Sequence, residues 1–194
     1  YEFSPATKTV ALSITSAPAL TGTWSNKTAV YGTTLAPVFT PDKADAGEIT
    51  YEYATEAGGT YSETVPTKAG TYYVKAIPAA ADKYSASAAE EVEITKKAIT
   101  IETTARKVLD GDTDMALNEV NENDVTFEHA DVDAILDGDV ITIADLGTAE
   151  YAEAGVHTQA ITVTDATFTG TNADCYDVTL VITASITKQT INLT

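Results

Sequence analysis

The chain spells several things twice. Ala81–Asp–Lys–Tyr84 and Ala173–Asp–Cys–Tyr176 share a pattern, and each is followed at the same interval by Ile–Thr–Lys, at 94–96 and 186–188. Upstream, 19–32 (ALTGTWSNKTAVYG) and 98–111 (AITIETTARKVLDG) are equally long and share Ala first, Thr third and Gly last. Ala69–Gly70 and Ala154–Gly155 each stand just before an alternating run. Anchors in the same order mark one folding unit used twice, because a fixed repeat means a supersecondary unit copied along the chain. The spacing predicts modules at 18–96 and 97–188. Residues 1–17 read as the remnant strand of a preceding module, and 189–194 as the start of a following one.

Each unit is written in strands. Ile49, Tyr51 and Tyr53 alternate with Thr50 and Glu52; Tyr72, Val74 and Ala76 alternate with Tyr73 and Lys75. Val178, Leu180, Ile182, Ala184 and Ile186 hold one face of a longer run. Period two places successive side chains on opposite faces of a sheet, and Gly and Asp clusters between the runs mark turns. No helical periodicity competes. The reading is an all-β chain of two tandem immunoglobulin-like β-sandwich modules, whose size and strand number suit that architecture. The joint Thr95–Lys–Lys–Ala98 holds no Gly or Pro, which predicts an elongated arrangement.

On these residues a family resemblance can be stated. AVYGTT (29–34), PTKAGTYYVKA (66–76), ADKY and EITKKAITI resemble the MBG-type repeat with its Tyr–Gly motif. VLDGDTDMAL (108–117), DGDVITI (137–143), TFTGTNADCYDVTL (167–180) and ASITKQTINLT resemble the sister YDG-type repeat, which departs at Leu109, where a Tyr is expected. The resemblance implies bacterial immunoglobulin-like domains strung in tandem in secreted or wall-attached surface proteins, often adhesins.

Charge narrows the partners. The net charge is −18, most of it after Lys97. Nucleic acid is disfavoured, since phosphate binding needs Lys and Arg. No apolar run approaches the roughly 20 residues that cross a bilayer, so no membrane insertion is expected. The first residues carry no basic start or apolar segment of a signal peptide. Cys175 is the single cysteine and has no internal disulfide partner. Because Lys83 fills its place in the first copy, the slot is expected to accept Ser or Lys.

Candidate chemistry is sparse. His129 and His157 lie in different runs without metal-binding or triad spacing, so no catalytic residue is assigned and the chain is read as not an enzyme. Asp110–Gly–Asp112–Thr–Asp114 imitates the start of a calcium loop. Met115 and Asn121 stand where an EF-hand needs Gly and Glu, so only a looser calcium cage with Asp131, Asp133, Asp137 or Asp139 is open. Trp24, Tyr31, Tyr51, Tyr53, Tyr61, Tyr72 and Tyr73 could form a sugar-stacking platform, or simply a core. Asn26–Lys–Thr28 and Asn192–Leu–Thr194 match the glycosylation pattern. Metal, cofactor and catalytic sites are therefore all left at none.

The expected function is a monomeric, extracellular pair of adhesion and spacer modules of a bacterial surface or secreted protein. Its partners would be a surface protein or glycan of a host or neighbouring cell. The alternative is a carbohydrate-binding module pair attached to a polysaccharide-degrading enzyme, and aromatic exposure discriminates the two.

Overall fold

The computed structural model describes residues 16–109, 111–115 and 134–188. Asp110, Asn121, His129, Asp131, Asp133, Asn192 and most of the two terminal strand remnants lie outside the described residues. Within them the chain is all-β, with two single-turn 3₁₀ segments (Ala44–Ala46, Ala173–Cys175) and no α-helix. No helix among the described residues is long and apolar enough to cross a membrane. The chain divides into two compact units whose bounds differ from the repeat bounds. One holds Pro37–Val65, Tyr72–Val92 and the described residues up to Ser25. The other holds Asn26–Ala36, Pro66–Thr71 and the described residues from Glu93 onward.

In the first unit β1 (Gly22–Ser25) pairs antiparallel with β3 (Val38–Pro41), setting Trp24 opposite Phe39. Antiparallel β4 (Ile49–Ala54) and β5 (Gly70–Pro78) run from Ile49 opposite Pro78 to Ala54 opposite Tyr73. β6 (Glu90–Thr95) lies beside β5; its residues up to Val92 belong to this unit and those from Glu93 to the other. Its residues behave as alternation demands: Val92 and Ile94 are buried, Glu91 and Glu93 exposed. Leu20, Phe39, Ala46 and Ala76 form a core, roofed by half-buried Trp24, Ile49, Tyr51 and Tyr84. Buried Ser87 costs little, because its hydroxyl accepts the Ala76 N–H at 3.0 Å and donates to the Ala88 carbonyl at 2.8 Å.

The second unit is organised by two long strands. β7 (Lys97–Val108) and β11 (Tyr176–Thr187) pair in parallel from Lys97–Tyr176 to Val108–Thr187 without a register break. β9 (His157–Val163) pairs antiparallel with the other side of β11, so β11 is central. Ile99, Ile101, Thr103, Ala105 and Lys107 of β7 turn inward beside Leu180, Ile182, Ala184 and Ile186 of β11. The face read from the alternating run is thus the buried one. A shorter parallel pair echoes this one: β2 (Thr28–Val30) matches Glu93, Ile94 and Thr95 of β6. The backbone then continues alike, with Tyr31 N–H donating to Thr95 O and Leu109 N–H to Thr187 O, both at 2.9 Å.

β8 (Thr142–Asp145) and β10 (Thr167–Thr169) form a small antiparallel sheet with an irregularity after Thr167. Gly170 closes it at φ 125°, where an added Cβ would run into the Val140 carbonyl oxygen. Only glycine meets both demands.

Leu180 is fully buried at the centre of this arrangement. Leu180→Ala should cost about 2–5 kcal/mol through lost burial and the cavity left behind. Thr100→Ala, on the exposed face of β7, should stay within about 0.5 kcal/mol. Urea unfolding midpoints of the two variants measure the contrast, and equal losses would mean the faces are assigned the wrong way round.

Candidate functional site

The most organised polar group in the second unit surrounds Asp139. The tight turn Leu136–Gly138 presents it: the Asp139 N–H donates to Leu136 O at 3.0 Å, and Gly138 takes φ 86°. One carboxylate oxygen accepts the Tyr176 hydroxyl at 2.6 Å and the Tyr31 hydroxyl at 2.9 Å. The other accepts the Asn172 side-chain amide at 2.7 Å. The Tyr176 hydroxyl in turn accepts the Leu136 N–H at 2.9 Å, closing a ring of contacts. The Tyr31 and Tyr176 rings meet edge to face at 5.3 Å, a favoured aromatic geometry, and both are buried.

Each member is placed by a local device. Tyr31 follows β2 directly, and Gly32 behind it has φ 89° and a hydrogen where a Cβ would stand 2.6 Å from Leu136. Asn172 adopts the left-handed conformation, φ 58°, which its short polar side chain tolerates, and opens the 3₁₀ turn that feeds Tyr176 into β11.

Burial pushes the Asp139 carboxyl pKa up, but the hydrogen bonds from Tyr176, Asn172 and Tyr31, with the nearby Lys68 charge, outweigh it and hold the pKa below the usual carboxylate range. Burial first, then Asp139, pushes both tyrosine hydroxyls above theirs, Tyr31 the further. Between pH 5 and 8 the group therefore contains a fixed anion and two fixed phenols. A general acid or base must titrate near the working pH, and a nucleophile must be activated. These groups are arranged for the opposite, holding segments together rather than transferring protons.

The first unit holds a looser polar group. Tyr84 donates to Asp45 at 3.0 Å, matching Tyr176 on Asp139, while Lys83 binds the second oxygen at 3.1 Å. Lys83 first, then Tyr84, holds the Asp45 carboxyl low, but both ends of the ion pair are about half exposed. In screening solvent such a pair contributes little.

Cys175 corrects an expectation. The repeat aligns it with Lys83, which suggested a slot open to Lys. The structure buries Cys175 at 1% exposure, in the turn behind the two tyrosines, whereas Lys83 reaches solvent. A buried ammonium without a partner carries a desolvation penalty of several kcal/mol.

The remaining sequence candidates disperse. Asp112 engages buried Lys107 and accepts the Asp114 N–H at 3.1 Å, while the Asp114 carbonyl accepts Lys107 Nζ at 3.1 Å. That loop is fastened by a lysine rather than shaped as an oxygen cage. Asp137 is exposed on the turn before Asp139. No group of three or more His, Cys, Asp or Glu among the described residues is placed to hold a metal ion. His157 contacts Gln159 at 2.9 Å and the edge of Tyr151.

The aromatic candidates turn inward. Trp24 packs on Phe39 at 4.8 Å and Tyr51 at 5.8 Å; Tyr53 is buried; the Tyr61 ring lies under Lys75. Tyr72 and Tyr73 are half-buried. Sequence reasoning listed Tyr31 only for sugar stacking and Asp139 only for calcium. It missed Asn172 and the Tyr176 hydroxyl, although the repeated Ala–Asp–X–Tyr spelling already singled out that tyrosine.

Comparison with known proteins bears on one half of the chain. Residues 95–187 match the family described as the YDG domain. No curated protein and no solved structure matches. The expectation of an MBG-type repeat followed by a YDG-type repeat, both bacterial surface immunoglobulin-like modules, is corrected by this finding: the match is to the YDG domain over 95–187, and no MBG-type repeat is shown. The physical reason lies in the motifs. A Tyr–Gly turn and an alternating run meet general demands of β-structure, and Tyr31–Gly32 here folds into the same compact unit as Asp139 instead of marking a separate module.

The Asp139 contacts give a signed pH dependence. A folded pKa below the unfolded ~3.9 contributes stability present above that value and lost as pH falls through the folded pKa. Asp139→Asn should cost about 1–3 kcal/mol near neutrality, with the gap to the unsubstituted chain narrowing below pH 4. Raised tyrosine pKa values act at the other end: their contribution is full below about pH 10 and fades above it, less so in Tyr31→Phe. Melting temperatures from pH 3 to 11 check both signs.

Cys175→Lys should lower stability by roughly 3 kcal/mol or more, while Cys175→Ala should cost no more than about 2 kcal/mol. Denaturant midpoints decide, and an unperturbed Lys variant would show that the turn opens to water.

Proposed function

We propose that this chain is a non-catalytic spacer and adhesion segment, two β-modules in tandem, of a bacterial secreted or cell-surface protein. The observation that supports this is the parallel pairing of β7 with β11. Parallel strands of equal length place the start of one and the end of the other at opposite ends of the pair. The chain enters the 95–187 domain beside Lys97 and leaves it beside Thr187, separated by ~36 Å at about 3.3 Å per residue. A domain crossed from end to end adds a fixed increment of reach when inserted in a longer chain.

Two further features agree with this reading. The organised polar group around Asp139 consolidates the fold at neutral pH. A net charge of −18 favours solubility and discourages nonspecific association. Surface proteins or glycans of other cells are the partners such a segment would meet.

The test is a distance. Spin labels at positions 97 and 187, with Cys175→Ala to remove the native thiol, should report one narrow separation near ~36 Å. A broad, coil-like distribution would remove the spacer reading.

A further inference from the structure

The β7–β11 pair has a mechanical property that a spacer need not have. We infer that it is a force-bearing clamp, which resists tension along the chain by shearing as one ladder; its biological use, though not its strength, rests on the spacer reading. In a parallel pair, pulling β7 at Lys97 and β11 at Thr187 drives the strands past each other along their own axes. All the inter-strand hydrogen bonds between Lys97–Tyr176 and Val108–Thr187 then share the load. Separating the same strands from one end would load those bonds in succession.

The ladder is built to act as a unit. Neither strand contains Gly or Pro, so no ladder donor is lost within it. Beneath it Ile99, Ile101, Leu180, Ile182, Ala184 and Ile186 are buried, which limits the access of water to this side of the ladder as its bonds strain. β9 braces the far side of β11 from Leu180 to Ile186.

Both ends are fastened. Beside Lys97, the first residue of β11 is Tyr176, held by Asp139 and through it by Asn172 and Tyr31. At the other end, Leu109 N–H donates to Thr187 O, and buried Lys107 ties the strand to Asp112 and to the Asp114 carbonyl. The β2–β6 pair has the same orientation but spans only Thr28–Val30, a much shorter ladder.

The experiment uses one chain pulled in two directions. Cys175→Ala with Lys97→Cys and Thr187→Cys places handles for shear; Cys175→Ala with Leu109→Cys and Thr187→Cys places them at one end of the same pair. Circular dichroism and melting confirm that both variants fold. Single-molecule rupture at one loading rate should need more force in shear than at one end, because the bonds break together. Asp139→Asn in the shear variant should lower that force while leaving the one-end force unchanged, since unzipping starts at the far end. Equal forces in the two directions would overturn the clamp. A narrow 97–187 label distance alongside equal forces would leave the spacer reading standing, so the two failures are told apart.

Discussion

Two strands that run the same way cannot be joined by a tight turn. Parallel β7 and β11 therefore oblige the chain between them to cross from one end of the pair to the other. That crossover carries the β8–β10 sheet, the Leu136–Gly138 turn and β9, which returns antiparallel to cover the free side of β11. The inward face of the ladder then supplies the apolar surface for these pieces to bury. The strand direction is the premise, and the rest of the unit is its accommodation.

Two charged groups within this unit are handled by saturation. Asp139 sits among two hydroxyls and an amide, and Lys107 among a carboxylate and a carbonyl. Burying a charge is costly unless its hydrogen-bonding capacity is met, and both positions meet it locally. The same saturation makes Asp139 a poor reactant, since its hydrogen bonds hold its carboxyl below the usual carboxylate range. In the first unit, the exposed Asp45–Lys83 pair shows the other regime, where solvent competes and little is at stake.

Strand content was legible in the sequence because alternation is a short-range signal. Val178 to Ile186 and Glu91 to Ile94 show on their faces what the spelling implies. Pairing was not legible: no residue in AITIETTARKV announces that its partner is the final strand or that it runs in the same direction. The Asp139 group was half legible, for the repeat marked Tyr176 but not its acceptor, which follows from a turn far away in sequence. Cys175 shows where copying misleads. Two positions can share a place in a repeat and differ in burial, because burial is decided by what covers them.

The separation of β7 and β11 along the sequence also governs how the domain comes into being. Its central ladder closes only when the last strand is present, so a chain emerging from its amino end has no early partner for β7. Long-range parallel contacts of this sort make folding slow, since loop-closure entropy is spent before contacts form. In that interval β7 would display Ile99 and Ile101 along an open edge, the kind of segment that pairs with strangers. Glu102, Arg106 and Lys107 interrupt it with charge, and Lys97 guards its start. A domain that withholds its fold until its final residues arrive remains an unfolded chain while it is being made.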